Sequence, residues 1–230
     1  LDALDVPAFK IGSGERSNLP YFREIARRGK PVILSTGMYE LDHVRQALQV
    51  FSEGGCRELA LLHCVTSYPT PYDQVNLRAM DALRAVFPGP VGYSDHTRGH
   101  HVCLAAVACG ATILEKHITL DFDVPNAQDW KVSAGPEDFA AFVRSVREVE
   151  AALGDGAKRP APSETAALAW ALKSLVAARP LLRGSVLAEG MLLAKRPGGG
   201  IEPSRLPDVL GRALRRDLEA DEALTWSDLE

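Results

Sequence analysis

The chain has 230 residues, with 26 Lys+Arg against 30 Asp+Glu for a formal net charge of −4, and is 46% hydrophobic and 24% charged. That is ordinary globular composition for one or two domains, and no run approaches the roughly 18–20 apolar residues that a membrane span needs. The mild acidity argues against a nucleic-acid protein, which needs a clustered basic surface; the densest basic stretch, Arg196 to Arg216, is broken by Glu202, Asp208 and a Pro/Gly-rich turn and reads as a solvated face. Cys56, Cys64, Cys103 and Cys109 form no Cys-x-x-Cys pair. That predicts a reduced, cytoplasmic protein over a disulfide scaffold or a structural zinc site.

In chain order, short apolar runs predict strands at Ala8–Gly12, Pro31–Thr36, Leu59–Val65, Pro90–Asp95 and Thr112–Thr119. Amphipathic stretches between and after them predict helices at Leu19–Arg28, Glu40–Ser52, Leu77–Phe87, His100–Cys109 and Pro136–Leu153. This alternation signals βαβ units and a parallel sheet. Each strand ends in small, polar or reactive residues: Lys10-Ile-Gly-Ser13-Gly, Leu34-Ser35-Thr36-Gly, His63-Cys-Val-Thr66-Ser-Tyr68, Tyr93-Ser94-Asp-His96-Thr and Glu115-Lys-His117. Chemistry spread over many strand ends is the mark of a barrel mouth, whereas a dinucleotide fold concentrates it in one glycine-rich turn. The predicted class is therefore α/β, a (β/α)8 TIM-type barrel of which the last five βα units are present at residues 1–153. About eight units close such a barrel. The expectation is that the chain starts inside a domain, with three upstream strands or a partner completing it. Residues 154–169, rich in Pro, Gly and charge, read as a linker, and 170–230 as a small α+β domain with short strands and no long helix.

Period-2 alternation sorts the strand-end residues by face. Glu115, His117 and Thr119 point one way, Leu114, Lys116 and Ile118 the other; Ser94 and His96 share a face that Asp95 opposes. Histidines at neighbouring strand ends, His96 and His117, point to one divalent ion with positions left open for water and substrate, which suits Mg²⁺ or Mn²⁺. His63 has the parity opposite to Cys64, Thr66 and Tyr68 and reads as a core residue; His43, His100 and His101 read as surface residues on helices, and Lys116 as structural or surface. Lys10, Ser13, Ser35, Thr66 and Ser94 form a plausible phosphate or carboxylate cradle. Tyr68 opens a proline-fixed loop. No Gly-x-Ser-x-Gly elbow or Walker loop is present.

Phe9-Lys-Ile-Gly-Ser-Gly-Glu15, Val32-Ile-Leu-Ser-Thr-Gly-Met38, Leu62-His-Cys-Val-Thr-Ser-Tyr-Pro-Thr-Pro-Tyr72, Gly92-Tyr-Ser-Asp-His-Thr97 and Leu114-Glu-Lys-His-Ile-Thr-Leu120 resemble, in order, the sialic acid synthase family. Val176-Ala-Ala-Arg, Lys195-Arg-Pro-Gly198 and Gly211-Arg-Ala-Leu214 resemble that family's C-terminal antifreeze-like (SAF) domain. The resemblance implies condensation of phosphoenolpyruvate with an N-acylated hexosamine such as N-acetylmannosamine, giving a nine-carbon 2-keto acid for cell-surface polysaccharide and phosphate. It implies that His96 and His117 hold the metal and that Lys10, Ser13, Ser35, Thr66 and Ser94 hold phosphoenolpyruvate. Glu115 and Tyr68 would line the reacting centre and Asp129 would meet sugar hydroxyls. Arg196 would reach the N-acyl group from the other subunit of a domain-swapped homodimer. Two departures stand out. Thr66 occupies a position that is often Asn in the family, and Pro125-Asn-Ala-Gln-Asp-Trp-Lys131 replaces Pro-Gly-Pro-Asp-His, which fits a di-N-acyl deoxysugar of the legionaminate type. The alternatives are a Schiff-base aldolase using Lys10 and a non-catalytic sugar-binding or assembly module; the fragment alone is compatible with an inactive piece of an active enzyme.

Overall fold

The computed structural model describes residues 4–230. The chain divides into two compact units, Leu1–Gly156 and Ala157–Glu230. In the first, five strands run parallel in sequence order: β1 (Phe9–Ile11), β2 (Val32–Ser35), β3 (Leu59–Cys64), β4 (Val91–Asp95) and β5 (Leu114–Lys116). Helices α1 (Leu19–Ala26), α2 (Leu41–Glu53), α3 (Ala79–Val86), α4 (His101–Ala108) and α5 (Pro136–Leu153) follow the strands in turn. The result is a half-barrel of five βα units, the α/β architecture that the strand–helix alternation predicts.

The period-2 rule explains its two faces. Phe9, Ile11, Val32, Leu34, Leu61, Val91 and Tyr93 are buried in one cluster with Phe22, Val44, Phe51, Met80, Cys103, Ala106 and Phe142 of the helices. The alternate residues face the concave side. At the N-terminal strand ends a hollow of about 860 Å³ is lined by residues of both faces, Ala8, Ile33, Ala60 and Ile113 together with Val32 and Phe51. Gly92 belongs to the concave face, and a β-carbon there would sit 2.2 Å from the Ile113 carbonyl oxygen. Strand β4 can therefore approach β5 only with glycine at that position.

The predicted elements match in order and shift at their ends. The last strand is the most shortened: its ladder stops at Lys116, and beyond it Ile118 makes a single bridge to Ala134. His117 thus emerges just past the ladder. His63 Nε2 donates to the Val75 carbonyl at 2.7 Å on the helix side, and burial lowers its pKa. His43 caps α2, its Nδ1 accepting from Glu40 N–H at 3.2 Å. His100 differs from the surface reading: it is half-buried with its ring 5.6 Å from Phe142, because α5 packs across the start of α4.

The second unit holds a two-stranded antiparallel ladder, β6 (Ser174–Ala177) with β7 (Leu192–Lys195), and isolated bridges such as Leu181–Leu218 and Leu214–Leu229. Leu175, Leu187, Ile201, Leu214, Leu218 and Leu224 form its core. Part of the stretch read as linker is ordered into helix α6 (Thr165–Ala171). Its start is fastened locally: Glu164 accepts from Ala161 N–H at 2.6 Å and Thr165 Oγ1 donates to Pro162 O at 2.8 Å. No described helix is long and apolar enough to cross a membrane.

Candidate functional site

The C-terminal strand ends converge on a cavity of about 320 Å³ whose walls include Lys10, Ser13, Ser35, Thr66, Tyr68, Ser94, His96, Glu115 and His117. Nine sequence-predicted site residues from five strand ends therefore share one mouth. Lys10 Nζ donates to Ser35 Oγ at 2.8 Å and to Ile11 O at 3.0 Å, and lies 3.3 Å from Glu115 Oε2. Lys10 and Glu115 each keep 35% of their side-chain surface open, so the charged pair faces incoming ligand. Ser94, the register partner of Glu115, donates its hydroxyl to Glu115 Oε1 at 2.7 Å. Ser13 Oγ accepts from Gly37 N–H at 2.9 Å.

His96 and His117 stand at adjacent strand ends with ring centroids 5.1 Å apart. Tyr68 packs on both, 4.0 Å from His96 and edge-on 5.6 Å from His117. Its loop is fastened to β4 by Thr70 N–H donating to His96 O at 2.9 Å. His96 Nδ1 lies 2.7 Å from the Val65 carbonyl oxygen, which can only accept, so the proton is on Nδ1 and the Nε2 lone pair is free. Burial, reinforced by the neighbouring His117, lowers the His96 pKa against the opposing pull of the Val65 carbonyl and keeps the ring neutral. That is the tautomer and charge state a metal ligand needs. Among the described residues no cluster of three or more His, Cys, Asp or Glu side chains is poised to hold a metal, so a cation at this mouth would have the imidazole pair as its protein donors. Such a pair fits a hard or borderline divalent cation that completes its shell with oxygen from water and substrate.

Asp129, in the short turn Asp129–Val132, has Oδ2 3.6 Å from His117 Nδ1 and is mostly exposed at the rim. Arg196 belongs to the second unit, where its guanidinium lies 6.0 Å from the Trp170 ring. Lys116 is not at the surface. Only 3% of its side chain is exposed, in an ion pair with the fully buried Asp95 at 2.8 Å. Burial raises the Asp95 pKa, and the Lys116 ammonium with the Thr97 N–H outweighs it, holding the carboxyl below its usual range.

Two residues of the mouth escape strand-end reading. Cys64 lines the cavity with its thiol 3.7 Å from His96 Nδ1, and burial pushes its pKa up. Its parity with Thr66 and Tyr68 was the available signal. Gly37, next to Ser35-Thr36, would place a β-carbon 2.4 Å from Thr66 Oγ1 and 2.8 Å from Ser13 Oγ. Glycine there leaves room for both hydroxyls, which the sequence alone does not distinguish from an ordinary turn.

The NeuB family profile matches residues 1–158 and the SAF domain profile residues 173–230. The N,N'-diacetyllegionaminic acid synthase of Campylobacter jejuni is 42% identical over 97% of this chain and 67% of its own length. Human N-acetylneuraminate-9-phosphate synthase is 36% identical over 97% of this chain and 62% of its own length. The crystal structure of N-acetylneuraminic acid (sialic acid) synthetase from Leptospira borgpetersenii serovar Hardjo-bovis, in complex with citrate, is 35% identical and superposes with a TM-score of 0.66, covering 73% of this chain and 58% of that one. The chain thus spans about two thirds of the length of the curated relatives it matches. With a five-unit half-barrel under the first profile and the small β-ladder domain under the second, the chain belongs to the NeuB family and ends in a SAF domain.

Proposed function

We propose that the protein condenses phosphoenolpyruvate with an N-acylated hexosamine to give a nonulosonic acid and phosphate. The observation that carries this reading is the meeting of His96 and His117 beside the Lys10–Ser35–Ser94–Glu115 network in one mouth. The names of its relatives, synthases of legionaminic acid and of N-acetylneuraminate 9-phosphate, support the class of product. The higher identity to the legionaminic acid synthase, together with the Pro125–Lys131 loop, favours a di-N-acyl deoxysugar over N-acetylmannosamine as acceptor.

Lys10, Ser13, Ser35, Thr66 and Ser94 hold the carboxylate and phosphate of phosphoenolpyruvate by charge and hydroxyl donation. His96 and His117 hold the divalent cation, Mn²⁺ or Mg²⁺, which when bound supplies Lewis acidity toward the sugar's carbonyl oxygen. Tyr68, packed on both imidazoles, shields the face where the enol carbon attacks and the C–C bond forms. Glu115, the only carboxylate among the described residues on the cavity wall, takes the proton of the water that adds at the former enol carbon, after which the C–O bond breaks and phosphate leaves. Asp129 meets sugar hydroxyls at the rim. Arg196 contacts the N-acyl group from the partner subunit of a domain-swapped homodimer. Against a Schiff-base aldolase stands the position of Lys10 Nζ, which is engaged by Ser35, Ile11 and Glu115.

Phosphate release from phosphoenolpyruvate should require both Mn²⁺ and the amino sugar; turnover without metal contradicts the reading. Gly37→Ala should weaken phosphoenolpyruvate binding about tenfold or more, roughly 1.4 kcal/mol, by pushing the Ser13 and Thr66 hydroxyls apart. Calorimetric titration of the variant checks this, and wild-type affinity would remove the two hydroxyls from the cradle.

A further inference from the structure

The strands that carry the two histidines are tied together on the face turned away from the cavity. Asp95 of β4 and Lys116 of β5 are register partners, so both side chains point to the helix side while their successors, His96 and His117, point into the mouth. The ion pair between them is 2.8 Å long and almost wholly buried. Both partners also grip the residue that follows His96. Thr97 N–H donates to Asp95 Oδ1 at 2.9 Å, and Lys116 Nζ donates to Thr97 O at 2.6 Å. Tyr93 O–H at 2.9 Å and the Cys103 thiol at 3.4 Å complete the shell of the carboxylate.

Stability alone does not account for this arrangement. An apolar pair of similar volume holds two strands as well as a buried ion pair, and often better. An apolar pair has no directional grip on a backbone N–H and C=O. The turn Asp95-His96-Thr97 is held at Thr97 from both sides of its backbone, the carboxylate taking its N–H and an ammonium anchored one residue before His117 donating to its C=O. We infer that the Asp95–Lys116 pair is a positioning clamp that sets the separation at which His96 and His117 present their rings to a divalent cation. The inference rests on the proposed cation-binding role of those two imidazoles. Neither Asp95 nor Lys116 touches the cavity, so both act through the histidines.

The test uses Asp95→Asn/Lys116→Met, which removes both buried charges together and keeps a side-chain acceptor for Thr97 N–H, with Asp95→Asn alone as the second variant. Mn²⁺ affinity is read from the electron paramagnetic resonance of free ion, beside thermal melting; His96→Ala and His117→Ala are run in parallel. The double variant should melt within about 5 °C of wild type, while it and folded Asp95→Asn bind Mn²⁺ about 10–100-fold more weakly, the range typical of lost support around metal ligands. Wild-type Mn²⁺ affinity in either folded variant, with binding lost in the histidine variants, overturns the clamp and leaves the cation site intact. Unchanged Mn²⁺ affinity in the histidine variants overturns the cation site, and the clamp falls with it.

Discussion

His117→Ala is expected to lower phosphate release from phosphoenolpyruvate by at least about 10³-fold, close to 4 kcal/mol of barrier, with melting nearly unchanged. The size follows from the donor set. In the proposed reading two imidazoles are the protein's only ligands to the cation among the described residues, so removing one would halve the hold on the charge that stabilises the sugar oxygen. The unchanged melting follows from exposure: 29% of the His117 side chain is open, and its neighbours are the edge of Tyr68 and the rim carboxylate of Asp129. Loss of activity without loss of fold, measured by coupled phosphate release and thermal denaturation on the same preparation, is the predicted signature. Retained turnover would mean that the cation is held elsewhere.

Lys116→Met should destabilise the half-barrel by about 3–5 kcal/mol, the cost typical of stripping a buried charge of its only counter-ion. The Asp95 carboxylate would keep Thr97 N–H and Tyr93 O–H but no positive charge, with none of its surface in water. The Thr97 carbonyl would lose its bond from Nζ as well. Denaturant unfolding of Lys116→Met against Asp95→Asn/Lys116→Met separates the two effects, because the double variant removes the stranded charge and should recover most of the loss. A single-variant loss below about 1 kcal/mol would show that Asp95 finds another partner or takes up a proton.

Much of this was legible in the sequence for definite physical reasons. Five apolar runs spaced by amphipathic stretches specify parallel βα units, and the reactive residues at every run's end specify a shared mouth. Parity alone separated His63, which lies against the Val75 carbonyl on the helix side, from Thr66 and Tyr68, which line the cavity. The same rule put Lys116 on the helix side but did not reveal its partner. The Asp95–Lys116 contact needs the β4–β5 register, and register depends on tertiary packing that local sequence does not encode. Gly37 and Gly92 were hidden for a related reason, since each is required by an atom from a distant part of the chain beside another strand: the Thr66 hydroxyl in one case and the Ile113 carbonyl in the other. Helix α6 was obscured because Pro162-Ser163-Glu164 has the composition of a linker, while its capping bonds to Ala161 and Thr165 start a helix.

The central claim is that imidazoles 96 and 117 share one divalent cation, and electron spin-echo modulation of Mn²⁺ bound to the protein tests it most directly. Couplings from two imidazole nitrogens in the wild type, reduced to one in His96→Ala and in His117→Ala, are the predicted result. A bound ion that shows no imidazole coupling, or the same coupling in all three proteins, would contradict it.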